Sequence, residues 1–438
     1  MSLYNRFVAG SEEQVAERFI AAYPELKAAQ GFEDIEAFVA SLERPRKIFL
    51  MIKAGSETDE FIEKLLPFLS DNDIVIDGGN AHFGDTHRRI AYLKTKNIDF
   101  IGAGVSGGEY GALHGPSIMP SGNAAAYRHI EPFLQAIAAR DNTGKPCCAY
   151  IGKDGAGHFI KMVHNGIEYA EMQLIAEVYG QLRFVHNREP EAIAAVFSNW
   201  AKSDLKSYLL EITAKILQKK EGNGYLLDQI LDKAGNKGTG NWATVAASEL
   251  GVPATMITAA LFARYLSTVK ENFPKLRENS RSQSATPADV DAIREAYRTA
   301  RILNHQQGFM LMRAASEAYH WNLDFPEIAR IWTNGCIIRS AFMESLPPLF
   351  NAYRDILEHP DLSTEVKTGK LALRRCCISS VAHDLPTPCH QAALEYLNTL
   401  EARFPIANVI QAQRDFFGAH TYQRVDDPAG AFYHTEWE

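Results

Sequence analysis

One stretch of the chain, residues 155–173, constrains the fold more than any other because it combines helical spacing with an unusual polar content. Four of its polar residues stand at positions i, i+3, i+4 and i+7, which places them on one face of a helix. These residues are Lys161, His164, Asn165 and Glu168. The other directions are apolar from Phe159 to Leu174, and a helix that is apolar nearly all round is a buried one.

A polar stripe on a buried helix needs a partner, since charged side chains are rarely buried without an opposite charge or a ligand. The stripe therefore predicts either a compensating polar wall or a wet cleft. The alternative is an ion pair between Lys161 and Glu168 on a half-exposed helix. The rest of the chain favours the cleft.

Length and composition limit the remaining possibilities. The 438 residues exceed what one hydrophobic core usually supports, so two or three packed units are expected. With 46% hydrophobic and 22% charged residues, the composition is typical of a soluble globular protein. No apolar run reaches the length of a membrane span, and the N-terminus lacks the features of a signal peptide. We expect a cytoplasmic protein that does not contact a membrane.

Cysteine usage and net charge exclude two further classes. Six cysteines include two adjacent pairs but no CxxC and no zinc-type cluster, which predicts reduced, buried thiols and no metal site. The net charge of -8 argues against nucleic-acid binding, since phosphate backbones require clustered Lys and Arg. An anionic small substrate would instead need local cations.

Residues 1–154 alternate short apolar runs with amphipathic stretches, as βαβ units do. The pattern predicts strands at 47–53, 73–77, 98–102 and 147–151, with helices at 57–69 and 86–96. The predicted fold class of this domain is therefore α/β, with a Rossmann-like, doubly wound parallel sheet.

Three successive predicted strands end in glycine-containing turns, at residues 53–55, 77–80 and 102–108. In doubly wound sheets, ligands bind beyond the carboxyl ends of the strands, and glycine lets backbone approach a ligand closely. The last turn opens a glycine-rich segment that extends to Gly122. We expect this segment to be a loop whose backbone N–H groups hold a carboxylate or hydroxyl groups.

The N-terminus lacks the G-x-G-x-x-G fingerprint that opens the first helix of a dinucleotide-binding domain. Residues 2–6 match the end of the second strand of such a domain, where the adenosine ribose is read. At this position the chain has Asn5 and Arg6. The guanidinium of Arg6 is suited to a 2′-phosphate, which predicts NADP as the cofactor. The expectation is that the first strand, Gly-rich turn and helix are missing from this chain.

From residue 155 to about residue 408, long amphipathic patterns predict an all-helical domain. Lys237 lies in a glycine-rich run that is not a Walker A motif; it predicts either a monophosphate site or a plain turn between helices. Arg264 stands in an apolar helical run and predicts a buried anionic partner. The run from Trp332 to Arg339 is interpreted as core packing with an arginine that reaches solvent.

Residues 409–438 are too aromatic to remain free, and we expect them to dock on a second subunit.

Taken together, these motifs resemble the 6-phosphogluconate dehydrogenase family. The motifs are residues 76–80, 104–108, 155–173, 237–240 and 411–422, spread over nearly the whole chain. Enzymes that oxidise β-hydroxy acids share the Ser-Gly-Gly loop and the Lys/Asn pair, whereas the loop at Lys237 and the C-terminal tail belong to the sugar-phosphate branch.

The resemblance implies NADP-dependent oxidative decarboxylation of 6-phosphogluconate in the pentose phosphate pathway, with Lys161 as general base and Glu168 as general acid and with no metal. It assigns the sugar acid to Asn80, Ser106, Gly107, Gly108, His164 and Asn165, and the phosphate end to Tyr169, Lys237, Arg264 and Arg414. It assigns the cofactor to Asn5, Arg6, Ile52, Lys53, Ala54 and Asn80. It also implies a homodimer in which Arg414 and His420 enter the partner's active site.

The resemblance implies three parts: an incomplete NADP-binding domain at 1–154, an all-helical substrate and dimerisation domain at 155–408, and a tail at 409–438. Two other functions stay open. One is a non-catalytic dimer that binds the sugar phosphate but not the cofactor. The other is a β-hydroxy acid dehydrogenase with a substrate that carries no phosphate.

Overall fold

The computed structural model describes residues 1–235, 239–273 and 286–438. It divides into two compact units, Met1–Ala393 and Leu394–Glu438. The first unit begins with the sheet and ends with the helices; the second holds the C-terminal tail.

The N-terminal part contains six strands and six helices. The strands are β1 (Ser2–Tyr4), β2 (Gln30–Phe32), β3 (Lys47–Leu50), β4 (Ile74–Asp77), β5 (Asp99–Ser106) and β6 (Ser117–Gly122). The helices are α1 (Val15–Ala22), α2 (Ile35–Ala40), α3 (Ser56–Leu65), α4 (Phe83–Lys94), α5 (Gly108–His114) and α6 (Ala124–Ile137). β1 and β2 form a parallel pair, while the main sheet has the order β3-β4-β5-β6, with its first three strands parallel. The predicted Rossmann-like class is confirmed.

The core covers both faces of the sheet, which explains why the sequences of the central strands are continuous apolar runs. Alternate side chains of β4 enter two different clusters: Ile74 and Ile76 pack on one face of the sheet, and Val75 packs on the other. Since strand side chains alternate between faces, a strand covered on both sides must be apolar at every position. All four residues of β4 are buried.

Two predictions in this region are wrong. The segment 102–122 is not a loop, because β5 continues through Ser106, α5 follows, and β6 returns antiparallel to β5. Residues 147–151 form no strand and make only bridge contacts, such as Cys148 with Ile118. The first error arose because glycine is a poor strand former, although here close packing against a helix requires it.

The second part of the first unit is mainly helical. Its helices are α7 (Ala156–Gly180), α8 (Pro190–Trp200), α9 (Tyr208–Gln218), α10 (Thr239–Glu249), α11 (Thr255–Val269), α12 (Val290–Ala318), α13 (Phe325–Ile331), α14 (Ala341–Phe350), α15 (Pro360–Ala382) and the first half of α16 (Pro388–Leu400), which continues into the second unit. One short hairpin, β7 (Lys220–Glu221) with β8 (Gly224–Tyr225), interrupts them. α7 packs against α10, α11 and α12 on one side and against β5 and β6 on the other. This central position explains why α7 is buried along most of its length.

The second unit ends in α17 (Ala407–Gly418) and a hairpin of β9 (Tyr422–Gln423) and β10 (Phe432–Tyr433). Its centre is Asp415, whose carboxylate accepts hydrogen bonds from the backbone N–H groups of Thr421 and Thr435 and from the indole of Trp437. His434 also contacts it, at 3.0 Å. These donors hold the pKa of Asp415 at about 2. In the described part of the chain, the helices are too short or too polar to cross a membrane.

Candidate active site

The polar stripe on α7 is buried at its first three residues, and Glu168 is half-buried. Lys161 is 7% exposed, Asn165 8% and His164 0%. The Lys161 Nζ atom donates a 2.7 Å hydrogen bond to Asn165 Oδ1 and lies 3.4 Å from His164 Nδ1. The i, i+3, i+4 spacing read from the sequence therefore produces direct contacts, as expected for neighbours on a helix face.

His164 lies between the lysine and the acid. Its Nδ1 atom lies 3.7 Å from Glu168 Oε2, and its Nε2 atom lies 3.2 Å from the hydroxyl of Ser106 at the end of β5. The indole of Trp332 packs edge-on against the imidazole, with 5.4 Å between ring centroids. In the described structure Lys161 and Glu168 form no ion pair with each other, so the simpler interpretation of the stripe is wrong.

Burial changes the proton affinities along the stripe. It lowers the pKa of Lys161 from its ordinary value of 10.5, against the opposing charge of Glu168. It raises the pKa of Glu168 from 4.5, which Lys161 and Arg264 counteract. Burial, together with the lysine charge, lowers the pKa of His164 well below 6.5. The lysine is thus shifted toward the neutral amine and the glutamate toward the neutral acid, as desolvation of both groups requires.

Glycines bring α7 directly onto the sheet. A Cβ on Gly104 of β5 would lie 2.6 Å from the Cβ of Lys161, and a Cβ on Gly157 would lie 2.0 Å from the carbonyl oxygen of Met119 on β6. Both distances are shorter than any real Cβ contact. The backbone of the sheet therefore touches the helix at the turn that carries the lysine.

The Ser-Gly-Gly loop follows at the end of β5. Ser106 is buried, whereas Gly108 is exposed. Gly107 has a φ of 135° and Gly108 a φ of 59°, both in the region that favours glycine. A Cβ on Gly107 would lie 2.7 Å from the carbonyl oxygen of Gly335, so this loop packs tightly against the segment after α13.

A cationic group lies one helical turn beyond the stripe. The guanidinium of Arg264 stacks on the ring of Tyr169 at 3.4 Å and donates a long hydrogen bond to Met172 Sδ. Among the described residues no carboxylate forms an ion pair with Arg264; the charge of Glu168 acts on it only at longer range, and the aromatic face of Tyr169 makes the direct contact. Gly240 packs against Tyr169 from α10. Lys237, predicted to join this group, lies outside the described residues.

The carboxyl ends of the parallel strands carry the residues predicted to bind the cofactor. The end of β1 presents Asn5 and Arg6, and both contact the carboxylate of Glu12. The Arg6 guanidinium lies 3.1 Å from Glu12 Oε1 and is 71% exposed. Beyond β3, Lys53 pairs with Glu57 at the surface. Exposed ion pairs of this kind are weak, so a phosphate can displace the carboxylates.

The turns at this edge fit a dinucleotide phosphate. Asn80 is exposed, while Ile52 and Ala54 are half-buried. A Cβ on Gly79 would lie 3.1 Å from the carbonyl oxygen of Ile52, so a side chain there would require the two turns to separate by a few tenths of an ångström. Gly55 precedes α3 without a side-chain cap, although the N–H of Thr58 in the first turn already donates to the carbonyl oxygen of Gly55.

A buried arginine contacts the turns that follow β3 and β4. Arg89 on α4 is 1% exposed. It lies 3.3 Å from Asp77 at the end of β4 and donates a 2.8 Å hydrogen bond to the carbonyl oxygen of Gly55 after β3. Asp59 on α3 also pairs with it, at 2.7 Å. Arg89 thereby fixes the spacing between two of the predicted ligand-binding turns.

The tail residues Arg414 and His420 are exposed in the second unit. Arg414 donates a 3.1 Å hydrogen bond to Gln411, and the His420 ring packs edge-on against Phe417. Neither side chain is committed to a carboxylate within the described part of the chain, so both are free to meet a ligand.

The sequence did not identify four residues that contact the predicted site residues or hold the tail together: Glu12, Arg89, Trp332 and Asp415. Trp332 was assigned only to core packing, although its ring lies against His164. Arg89 stands on the apolar face of an amphipathic helix, a signal that was available in the sequence. Glu12 and Asp415 carry no local signal, because their partners are set by the fold of the turn and of the hairpin.

The fold and the site define a class of protein: the dehydrogenases in which a Rossmann-type nucleotide-binding domain precedes a helical domain. Within that class, the model for the NAD binding domain of 6-phosphogluconate dehydrogenase matches residues 1–152, and the model for its C-terminal domain matches residues 157–437. The chain therefore belongs to the 6-phosphogluconate dehydrogenase family. The first match begins at residue 1 and does not confirm the prediction that a first strand, turn and helix are missing.

Individual relatives support the same family assignment. The NADP(+)-dependent, decarboxylating 6-phosphogluconate dehydrogenase of Bacillus subtilis is 45% identical over 448 residues, which cover 100% of this chain and 94% of the relative. The decarboxylating enzyme of Escherichia coli is 44% identical over 446 residues, with the same coverage of 100% and 94%. A solved structure also matches, that of the Plasmodium falciparum 6-phosphogluconate dehydrogenase, determined in apo form and with NADP+ or 6-phosphogluconate. It superposes on this chain with a TM-score of 0.92 at 35% sequence identity. The match covers 100% of this chain and 95% of the Plasmodium chain.

Proposed function

We propose that this protein oxidises and decarboxylates 6-phospho-D-gluconate to D-ribulose 5-phosphate and CO2 with reduction of NADP+. The observation that carries the proposal is the opposite shift of two proton affinities on one buried helix face, at Lys161 and Glu168. A general base and a general acid must exchange protons near neutral pH, and burial tunes each group in the required direction. The names of the relatives agree with this reaction.

The base acts first. The neutral amine of Lys161 removes the proton of the C3 hydroxyl. Bound NADP+ would supply the acceptor for the hydride that leaves C3. The resulting 3-keto acid loses CO2 from C1. Lys161, now protonated, donates to the keto oxygen and stabilises the enediol that forms.

Glu168 completes the reaction by protonating the carbon that has lost CO2. Its raised pKa keeps a proton available for this step. His164, placed between the two groups and shifted toward the neutral ring, orients the substrate without competing for the proton. Asn165 holds the lysine amine in place through its 2.7 Å hydrogen bond.

The substrate is bound from both ends. We assign the sugar acid to the backbone of Gly107 and Gly108 and to four side chains: Asn80, Ser106, His164 and Asn165. The phosphate end is assigned to Tyr169, Arg264 and Lys237. The support for the second group is a guanidinium without a carboxylate partner among the described residues, stacked 3.4 Å from an aromatic ring beside the stripe.

The cofactor is assigned to the strand ends. Asn5 and Arg6 would hold the 2′-phosphate, and Lys53, with Ile52, Ala54 and Asn80, would line the nicotinamide half. Support comes from the uncapped start of α3 and from the close approach of Gly79 to Ile52. The affinity for NADP+ is the quantity that tests this assignment.

We further propose a homodimer with exchanged tails, in which Arg414 and His420 of one copy reach the phosphate end of the other. The tail supports this with its exposed apolar residues Val409, Ile410, Phe416, Phe417 and Phe432. Exposed apolar clusters of this kind are typical of interfaces. The three-part division at residues 154 and 408 and the cytoplasmic location also stay predictions.

The test is a pair of separate titrations followed by turnover. The protein should bind 6-phosphogluconate and NADP+ independently and form NADPH and CO2 in equal amounts. Substrate binding without NADP+ binding would instead identify a non-catalytic dimer. Equal turnover of the phosphorylated acid and of gluconate would identify a general β-hydroxy acid dehydrogenase.

A further inference from the structure

A second cavity of about 450 Å³ lies outside the residues assigned to the reaction. The segment that follows α6 borders it, as do the starts of α9 and α14 and the segment after α13. Its volume is within the range of small-molecule sites. None of the assigned substrate or cofactor residues lines it.

Three cations line this cavity without carboxylate partners in the described part of the chain. They are Arg140, Lys206 and Arg339. Arg140 donates to the carbonyl oxygen of Gly144, and Arg339 stacks at 3.6 Å on the ring of Tyr208. Two of these guanidiniums are thus held in place by neutral partners and not by a carboxylate, which leaves their hydrogen-bond donors available to an anion.

Two helix starts add positive potential at the same place. Ser207 caps α9 and Ser340 caps α14, and the two serines pair with each other as an antiparallel bridge. Both are almost fully buried, at 3% and 5% exposure. The starts of both helices therefore lie at a cavity that already holds three cations, although first-turn N–H groups of both helices already donate to the two serine hydroxyls and to the carbonyl oxygens of Lys206 and Arg339.

The carboxylates in the lining limit the class of ligand. Asp141 is engaged by Arg330 at 2.8 Å, whereas Glu211 and Glu344, in the first turns of α9 and α14, share the lining with the three cations but form no ion pair among the described residues. Free carboxylates repel a pure anion but accept hydrogen bonds from hydroxyl groups. The lining thus suits a ligand with one strongly anionic group and several hydroxyls.

We propose that this cavity binds a phosphorylated sugar, with the phosphate on Arg140, Lys206 and Arg339 and the hydroxyls on Glu211 and Glu344. Planar guanidiniums bind phosphate through paired hydrogen bonds. A six-carbon sugar phosphate fits within a cavity of about 450 Å³.

The ligand would act on the Ser-Gly-Gly loop. Asn334, in the cavity lining, donates a 2.8 Å hydrogen bond to the carbonyl oxygen of Arg140 and accepts one from the N–H of Gly335. The carbonyl oxygen of Gly335 packs directly beneath Gly107. A ligand that holds Arg140 therefore holds Asn334 and Gly335 and makes the loop more rigid.

The experiment titrates the full-length protein, already saturated with 6-phosphogluconate, with glucose 6-phosphate by calorimetry. We expect one saturable site per chain and a loss of affinity of about ten- to hundredfold in Lys206→Glu, the range for a lost hydrogen bond to a charged group. Lys202→Glu is the matched control, because Lys202 is exposed nearby but does not line the cavity. It should keep wild-type affinity, and thermal unfolding should confirm that both variants fold.

Three results would overturn the proposal: no saturable binding, equal loss of affinity in both variants, or binding of inorganic phosphate as tight as that of glucose 6-phosphate. The effect on the loop is tested by hydrogen exchange over residues 105–111, which should slow when glucose 6-phosphate is added to the wild type and stay unchanged in Lys206→Glu. Unchanged exchange in the wild type would refute the coupling. None of these measurements requires turnover, so they stand apart from the proposed reaction.

Discussion

Gly104 on β5 lies so close to Lys161 on α7 that a Cβ on the glycine would lie 2.6 Å from the Cβ of the lysine. The same Cβ would lie 2.8 Å from the carbonyl oxygen of Gly157. The position of the proposed base is therefore set by the absence of a side chain on the sheet. Burial of the amine, and with it the lowered pKa of Lys161, depends on this contact.

Replacing Gly104 with alanine should displace α7 from the sheet. We expect the free energy of unfolding to fall by about 1–3 kcal/mol, the usual cost of overpacking, with a large loss of kcat. Gly224→Ala is the control, because no atom lies within 4 Å of a Cβ at that position. Chemical denaturation and steady-state kinetics measure both effects. A Gly104→Ala variant with normal stability and rate would refute the packing argument.

Lys161→Met should remove turnover by a factor of about 10²–10⁴, the contribution of a positioned general base, while 6-phosphogluconate still binds. Because burial lowers the pKa of Lys161 below 10.5 and the neutral amine is required, activity in the wild type rises as pH increases through this lowered pKa. The variant should lose that limb of the profile. Lys153→Met, an exposed neighbour, is the control. Loss of substrate binding with unchanged residual turnover would contradict the assigned role.

Glu168→Gln should slow the step that protonates C1, with kcat reduced by about 10²–10³ and KM changed little. The acid is needed in its protonated form, which is present below its pKa. Burial raises that pKa above 4.5, so activity falls as pH increases through the raised value, and the variant should lack this dependence. The pH profile of kcat measures it. A variant with the wild-type profile would show that another group supplies the proton.

Arg264→Ala should weaken recognition of the phosphate more than recognition of the sugar acid. We expect KM for 6-phosphogluconate to rise about ten- to hundredfold, since a hydrogen bond to a charged group is lost, while turnover of gluconate is unchanged. The matched control is Arg128→Ala on the exposed face of α6. Equal effects on both substrates would indicate that Arg264 does not contact the phosphate.

Asp415→Asn should loosen the tail, because the amide presents donors where four donors already point. Hydrogen exchange over residues 419–437 should accelerate, whereas Asp426→Asn, at an exposed pair with Arg424, should have little effect. Since the pKa of Asp415 is lowered from 3.8 to about 2, its stabilisation is present above pH 3.8 and is lost as pH falls through about 2. Protection that is unchanged in Asp415→Asn would contradict the central role of this carboxylate.

The sequence predicted the fold where the pattern was local. The apolar runs of β3 and β4 and the helical stripe of α7 identified the sheet, the helix and the face that carries Lys161 and Glu168. Strand ends were less certain, since the predicted strand at 47–53 ends at Leu50 and the one at 98–102 continues to Ser106. Glycines that serve packing and glycines that serve a turn have the same appearance in a sequence.

The sequence by itself determined which chemistry was available: a lysine, a histidine, an asparagine and a glutamate on one helix face, and cations distributed over distant segments. These follow from helical periodicity, which acts over a few residues. Only the tertiary structure decided that His164 separates Lys161 from Glu168, that Trp332 packs against that histidine, and that Arg89 joins two turns. Such contacts join segments far apart in the chain, and their geometry and proton affinities depend on how closely the backbones pack.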